Sequence, residues 1–330
     1  MKQKTHFNLD LMLNFGSGLK EVLYQYAKNS TLKKIKKKKK YKFQDKRNWK
    51  QYNSTLVKRG EFYINPRFLE TWIQEIKELN LNKVGQPFLY PQSMIEFLSI
   101  LHSKGFDYRA LEGIMSAFSK RLGNFPVISF SQIRRRILKL DIGFKPKSDN
   151  LIVGIDGTGV KVSNRGEWMR QKWKVRRGWI KVIIMGDTDG NIVDIRIGNE
   201  DLDERSSARG MIRKNKKHIK KALMDGLHDC NDTFDLLEKE KIQAGIKIRS
   251  NASDKGLGAR PREVKKYQEQ DYEDWFREKD YGLRWPSSEC IFSSEKRIFG
   301  ECVTSHKKRN MYKEAKLKFW AYQQLKNIQE

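Results

Sequence analysis

The stretch LIVGIDGTGVKV, residues 151–162, decides the fold of this 330-residue chain. Its short apolar run contains β-branched residues and leads to Asp156 before a glycine, which is typical of a buried strand whose last side chain leaves the sheet. Downstream, GWIKVIIMG (178–186) and NIVDIRIG (191–198) flank the turn DTDG (187–190). Two apolar runs around such a turn predict a β-hairpin.

Strand and helix patterns alternate through the rest of the C-terminal half. The predicted elements are a basic, partly helical stretch (205–221), a strand ALMD (222–225), a helix NDTFDLLEKEKI (231–242), a strand GIKIRS (245–250), a polar loop with some helix (250–280), and helices over 288–303 and 311–325. This order predicts an α/β architecture in which helices cover a mixed sheet.

The N-terminal half has helical periodicity instead. Four helices are predicted over 66–79, 91–105, 108–123 and 129–142, with Ser129 or Ser131 as the N-cap of the last. The block of five lysines at 36–40 repels itself and indicates either a solvated, flexible arm or an arm that lies along phosphates.

The composition points to a polyanionic partner. The chain has 68 Lys and Arg against 40 Asp and Glu, a formal net charge of +28 and a pI near 9.9. Charge alone does not separate DNA, RNA, the ribosome and an anionic membrane, but charge and aromatic content together favour nucleic acid. No apolar run is long enough for a membrane span, the N-terminus lacks a secretory signal, and the three cysteines lack the spacing of a disulfide framework or a zinc site. We expect a cytoplasmic protein.

Three carboxylates of the C-terminal half are candidate metal ligands: Asp156, Asp225 and Glu289. If the strands before the two aspartates are neighbours, these carboxylates lie close together at the edge where α/β proteins bind ligands. Glu289 follows Pro286 in a predicted first helical turn, and Lys296 lies two turns later on nearly the same face. Carboxylates suit Mg²⁺ or Mn²⁺, and a pair of such ions promotes phosphoryl transfer.

Each residue of this candidate site also has an ordinary structural explanation. An aspartate before glycine is a common turn residue, Glu289 favours the helix dipole, and Lys296 fits a solvated surface. Other acidic residues compete for the second and third ligand positions, namely Asp229, Asp232 and Asp235 for the second and Glu295 and Glu301 for the third.

Arg134, Arg135 and Arg136 are consecutive on the fourth predicted helix. At least one of them faces solvent or a phosphate, because successive helical residues point in different directions. A short turn before a basic helix is typical of DNA-reading units, but an ordinary helical bundle with a basic surface has the same pattern. We therefore predict that this helix contacts DNA.

Several motifs resemble those of DDE-type transposases of insertion sequences, in particular the family named insertion sequence five. NWKQYNSTLVKRGEF (48–62) is similar to that family's N-terminal segment, and DGTGVKVSNRGEW (156–168) is similar to its first-aspartate motif. DGLHDCNDTFDLL (225–237) resembles the second-aspartate motif, and RWPSSECIFSSEKRIFGE (284–301) resembles the segment that holds the glutamate. The matches run in the family's order from about residue 48 to 322.

The resemblance implies an RNase H-like fold and Mg²⁺-dependent cleavage and strand transfer of DNA. It assigns Asp156, Asp225 and Glu289 to the catalytic triad. The family's terminal motif is Y-x2-R-x3-E-x6-K, and Tyr281, Arg284, Glu289 and Lys296 match it except that four residues separate Arg284 from Glu289. Tyr281, Arg284 and Lys296 are thereby predicted to contact DNA.

The sequence therefore predicts a transposase with three regions. These are a basic N-terminal arm (1–60), an all-helical DNA-binding region (61–147) and an RNase H-like catalytic domain (148–330). The expected partner is double-stranded DNA, both transposon ends and target, bound by a homodimer associated with the nucleoid. The alternatives are a metal-dependent nuclease without joining activity and a decayed DNA-binding protein without catalysis.

Overall fold

The computed structural model of the chain describes residues 48–123, 125–163 and 178–328. Residues 1–47 of the predicted arm, with the lysine block at 36–40, lie outside these residues, as does the GEW segment at 166–168 of the first-aspartate motif. Within the described part of the chain, no helix is long and apolar enough to cross a membrane.

The described part of the N-terminal half is helical, as predicted. Its helices are α1 (Trp49–Ile64), α2 (Phe68–Asn80), α3 (Gln92–Ser103), α4 (Tyr108–Leu122) and α5 (Phe130–Lys139). Helix α4 begins where the Asp107 carboxylate accepts hydrogen bonds from two backbone N–H groups and ends at Gly123, whose φ is +143°. Ser129, one of the two predicted N-cap residues, holds the N-cap position of α5. Its hydroxyl, however, makes no capping hydrogen bond.

A mixed sheet forms the C-terminal half. Its strands are β1 (Leu151–Val162), β2 (Trp179–Asp187), β3 (Ile192–Asn199), β4 (Ile219–Met224), β5 (Gln243–Ile246) and β6 (Cys302–Val303). They lie in the order β3-β2-β1-β4-β5, and β6 pairs with the end of β1. β1, β2 and β3 are antiparallel neighbours, whereas β4 and β5 run parallel to β1. This is the topology of the RNase H-like fold, and it confirms the predicted fold class.

Helices cover both faces of the sheet. They are α6 (Glu204–Asn215), α7 (Asn231–Lys239), α8 (Ala259–Glu269), α9 (Tyr272–Glu278), α10 (Cys290–Phe299) and α11 (Lys308–Asn327). The odd-numbered residues of β1, such as Val153 and Ile155, share a core with α6, α7 and α8. The even-numbered Val160 and Val162 share a core with α10 and α11. This alternation follows from the two-residue period of a strand.

Three strand predictions need correction. β1 does not end at Asp156 but continues to Val162, because it pairs with β2 along nearly its whole length. The strand predicted at 245–250 lies earlier, at Gln243–Ile246, where it pairs with β4. β6 lies where the helix over 288–303 was predicted to continue, but that helix ends at Phe299, before Gly300.

The helical half and the sheet half share a hydrophobic core within residues 53–330, which form one compact unit. Leu98 and Ile133 of the helical half lie in the same cluster as Phe299, Leu317 and Trp320. The predicted boundary at 60/61 falls inside α1, and the boundary at 147/148 falls just before β1. The three-region division stays a prediction.

Two glycines let a short helical segment lie directly on the sheet. Gly154 of β1 and Gly186 of β2 are register partners, and Trp285–Glu289 packs over them on the α10 side. A Cβ atom at Gly154 would lie 2.1 Å from the Ser287 Oγ, and one at Gly186 would lie 2.2 Å from the Ser287 carbonyl oxygen. Any larger residue would therefore push this segment off the sheet.

We predict that Gly186→Ala destabilises the protein by about 1–3 kcal/mol, because the added methyl group meets a backbone carbonyl that has no space to move into. The midpoint of urea unfolding measures this change. Gly113→Ala in α4 is the matched control, since nothing lies within 4 Å of a Cβ there. That substitution should raise stability by about 0.5–1 kcal/mol through helix propensity. Equal effects of both substitutions would contradict the packing argument.

Candidate active site

Two of the three predicted carboxylates lie on neighbouring strands. Asp156 is in β1, and Asp225 comes directly after the last residue of β4. β1 and β4 are parallel, with Gly154 opposite Leu223, so both aspartates follow the paired segment at the same end. The Asp225 carboxylate accepts a hydrogen bond from the Leu227 backbone N–H at 2.9 Å. The predicted adjacency of these two strands is therefore confirmed.

Arg284 joins Asp156 to the third predicted carboxylate. Its guanidinium donates to the Asp156 Oδ2 at 2.9 Å and to the Glu289 Oε1 through its other terminal nitrogen. All three side chains are partly buried, with exposed fractions of 19% for Arg284, 20% for Asp156 and 31% for Glu289. Glu289 and Asp156 are thus bridged by the same guanidinium group.

The environment of Asp156 opposes its negative charge. Burial raises the pKa of Asp156, and the nearby charges of Asp225 and Glu204 raise it further. The Gly157 N–H and the Arg284 guanidinium act in the opposite direction without cancelling the rise. Closely spaced carboxylates with one buried cation are therefore costly to keep ionised without a further positive charge.

The extra residue between Arg284 and Glu289 is absorbed by a π-helical turn. The segment Trp285–Glu289 is π-helical and continues into α10, with Pro286 in its first turn. A π turn bonds i to i+5, one residue more than an α turn. Residues five apart in this turn correspond to residues four apart in an α-helix, and Arg284 and Glu289 accordingly face each other.

The other two residues of the terminal motif also lie beside the carboxylates. The Lys296 ammonium donates to the Thr158 Oγ1 at 2.8 Å, two residues after Asp156 on β1. Tyr281 is buried, and its hydroxyl donates to the Met224 carbonyl at 3.2 Å, next to Asp225. Burial raises the pKa of Tyr281 to about 12. The predicted DNA contacts of these residues stay predictions, and Tyr281 in particular does not present its hydroxyl to solvent.

The competing acidic residues lie in other environments. Asp229 is buried in an ion pair with Arg260, with a 2.5 Å contact, and accepts from the Arg249 N–H. Glu295 is buried, and its pKa is raised to about 7 by that burial. The remaining three are exposed, namely Asp232, Asp235 and Glu301, the last paired with Lys161. None of these five shares the Arg284 bridge.

A buried charged cluster that the sequence analysis did not single out lies near Asp156. Glu204, in the first turn of α6, contacts the Lys181 ammonium at 2.9 Å and the His228 ring at 3.8 Å. The His228 ring and the Lys181 ammonium hold the pKa of Glu204 below its ordinary value, although burial opposes them. The only local signal for this residue is the preceding Asp203, which caps α6.

The donor set fits a divalent metal ion. Carboxylate oxygens are the ligands that Mg²⁺ and Mn²⁺ prefer, and the two acids bridged by Arg284 already face a positive group. Within the described residues, no three acidic, histidine or cysteine side chains are grouped closely enough to hold an ion. The Arg284 guanidinium lies between two of the candidates, Asp156 and Glu289.

The three predicted DNA-binding arginines of α5 point in three directions. Arg134 is exposed, Arg135 lines a groove toward β3, and Arg136 lies over the rings of Phe88 and Tyr90 at 5.7 and 5.4 Å. A 100° step between successive helical residues accounts for this divergence. Their contact with DNA stays a prediction, and the three are not equivalent.

Two family models match this chain. A model described as "Transposase DDE domain" matches residues 147–323, more than half of the chain, and a second model with the same description matches residues 57–165. The chain belongs to the DDE transposase family, a class of DNA-acting enzymes. Its membership of the insertion sequence five subfamily stays a prediction.

Solved structures of transposases show a low similarity to this chain. The Drosophila P element transposase strand transfer complex is 13% identical, with a TM-score of 0.29, and the alignment covers 56% of this chain and 48% of that one. The chain thus spans about half the length of that protein. The Mos1 mariner paired end complex with Mn is 13% identical, covers 83% and 94%, and has a TM-score of 0.21. These TM-scores are too low to support statements about function.

We predict opposite stability effects of removing the charge of two aspartates, Asp156 and Asp229, in metal-free buffer. Burial raises the folded-state pKa of Asp156, so its ionisation lowers stability as pH rises from the unfolded pKa, about 3.9, through the folded one. Asp156→Asn should therefore unfold at a higher temperature than the wild type at pH 7, and the difference should vanish below about pH 4.

Asp229→Asn is the matched comparison. It removes a buried partner of Arg260 and should lower stability by about 2 kcal/mol at pH 7. Thermal unfolding of the three proteins in chelator measures both effects. Destabilisation by Asp156→Asn at pH 7 would show that Asp156 has a structural role and would contradict the proposed cost of its charge.

Proposed function

We propose that this transposase cleaves DNA at the inverted-repeat ends of an insertion sequence and joins the freed ends to target DNA. The observation that supports this most directly is the Arg284 bridge, which brings Glu289 next to Asp156 on the strand adjacent to that of Asp225. Three acids far apart in the sequence thereby lie on neighbouring elements of a basic protein, two of them joined through Arg284 and the third after the adjacent strand. Phosphoryl transfer on a polyanion needs this combination.

Asp156, Asp225 and Glu289 would hold the divalent metal, expected to be Mg²⁺ or Mn²⁺. Two such ions, when bound, would polarise the attacking oxygen and stabilise the leaving oxygen. The rise in the pKa of Asp156 supports this role, because a site with excess carboxylate charge favours a cation over the metal-free state. The half-buried position of these acids also limits their exposure to water.

Arg284 and Lys296 would bind phosphate oxygens. Arg284 can exchange its two carboxylate partners for a phosphate, since a guanidinium binds both kinds of oxygen in the same forked geometry. Thr158 and Asp156 lie on the same face of β1, and the hydrogen bond from Lys296 of α10 to Thr158 holds the ammonium group over that face. A cation at this point would orient the scissile phosphate.

The two chemical steps would use one site. In the first, water attacks the phosphodiester at the transposon end, a phosphorus–oxygen bond breaks, and a 3′-hydroxyl is released. In the second, this 3′-hydroxyl attacks a target phosphodiester, and the displaced target 3′-oxygen leaves. Both ends must be held together for a complete insertion, so we also propose a homodimer on double-stranded DNA.

We predict that Asp156→Asn, Asp225→Asn and Glu289→Gln each reduce both cleavage and joining by at least about 1,000-fold, equivalent to roughly 4 kcal/mol of activation barrier. Cleavage is measured on a duplex that carries the element's terminal repeat. Joining is measured separately, with a pre-cut 3′-hydroxyl end and a supercoiled plasmid. Asp235→Asn is the control, because it removes the same charge from an exposed residue of α7.

The two assays separate the alternatives. Cleavage without joined product from pre-cut ends would identify a nuclease and overturn the transfer step. DNA binding without either reaction would identify a protein that has lost catalysis. Full activity of Glu289→Gln together with loss in Glu295→Gln would move the third ligand to the neighbouring acid.

A further inference from the structure

A groove of about 790 Å³ lies on the edge of the sheet, away from the candidate active site, and its walls are strongly basic. It is bounded by α5, the edge strand β3 and the first half of α11. Six cations line it: Arg135, Lys139, Arg196, Arg309, Lys313 and Lys316. Among the residues that the structure describes, no acidic side chain lines it, and we call it the basic groove.

Five of the six cations of the basic groove lie in rows on two helices. Arg135 and Lys139 are four residues apart on α5, and Arg309, Lys313 and Lys316 repeat at four and three residues on α11. Such spacings place side chains on one face of each helix. The three cations of α11 span about 10 Å at 1.5 Å per residue. A row of this length suits a polymer of phosphates better than a single small anion.

The positive charges of the basic groove are only weakly offset by the described part of the protein. None of the six forms a salt bridge with the described residues. Burial and the neighbouring Lys316 lower the pKa of Lys313 to about 8, and Asp141 outside the groove offsets this only in part. Like charges held this close are unfavourable in the free protein, and a bound polyanion would relieve them.

The sheet register gives the position of the basic groove relative to the carboxylates. Ile195, which lines the groove, pairs with Ile184, and Ile184 pairs with Asp156. Two strand spacings separate them, or about 10 Å. Along a DNA duplex this distance corresponds to about three base pairs.

We propose that the basic groove binds the phosphate backbone of double-stranded DNA, a few base pairs from the phosphodiester at the carboxylates. This inference rests on the proposed function for its choice of DNA as the polyanion. Lys and Arg contacts to phosphates add affinity without reading sequence, so the basic groove would contribute salt-sensitive and sequence-independent binding.

The test compares two triple variants of the full chain that lose the same charge. Arg196→Gln, Arg309→Gln and Lys316→Gln remove three cations of the basic groove. Lys220→Gln, Lys239→Gln and Lys255→Gln remove three exposed cations elsewhere. Fluorescence anisotropy with a labelled 30-base-pair duplex of arbitrary sequence gives the binding constant at several NaCl concentrations, and thermal unfolding confirms that both variants are folded.

The groove triple variant should bind with a salt dependence shallower by about 2.7 in the slope of log K against log salt, or about 0.9 per lost phosphate contact. Arg309→Gln alone should change the slope by about 0.9. The control triple variant should keep the wild-type slope. Equal changes in both triple variants, or no change in either, would overturn the proposal, as would a groove effect on single-stranded DNA or RNA with none on the duplex.

Cleavage and joining by the wild type distinguish this proposal from the proposed function. If the wild type cuts and joins DNA but the groove triple variant keeps the wild-type slope, the groove proposal fails alone. If the wild type does neither, yet the groove triple variant has the shallower slope, the proposed function fails and the DNA-binding groove stands.

Discussion

The site depends on the close approach of Trp285–Glu289 to the paired glycines Gly154 and Gly186. Ser287 occupies the space that side chains at positions 154 and 186 would fill. Its hydroxyl donates a hydrogen bond to the Leu283 carbonyl at 2.8 Å. This contact fixes the height of the π turn above the sheet. Arg284 lies before the turn and Glu289 at its end. At this height Arg284 can contact both Glu289 and Asp156, which is two residues beyond Gly154.

The π turn also explains why spacing in the sequence was an incomplete guide to this site. The predicted helix at 288–303 assumed one regular helix, and four residues between Arg284 and Glu289 departed from the expected three. In the structure the additional residue widens a single turn without rotating the rest of α10, so the interval from Glu289 to Lys296 keeps its two-turn geometry. The π turn keeps Arg284 and Glu289 facing each other. An additional residue in a regular α-helix would turn the two side chains away from each other.

Local patterns predicted most elements of the fold, because periodicity and turn residues act over a few positions. The hairpin around residues 187–190 followed from such patterns, whereas the pairing of β1 with β4 could only be assumed. The different environments of Asp225 and Asp229 did not follow from such patterns, since these residues are only four apart and the burial of Asp229 against Arg260 depends on a distant part of the chain. β5 was misplaced by two residues because its limits depend on pairing with β4. Long-range contacts of this kind leave no periodic trace in the sequence.

The Arg284 bridge has a consequence for how the protein matures. Carboxylates gathered at one point would repel each other while the chain folds, yet this chain carries a tethered counter-ion that neutralises part of their charge. The sheet therefore does not need a metal ion to offset this repulsion. If these acids bind a metal ion as proposed, loading would be an exchange, in which the ion displaces the Arg284 guanidinium from two carboxylates. A divalent ion would gain more from that exchange than a monovalent one, so the same arginine would set a charge threshold for occupancy.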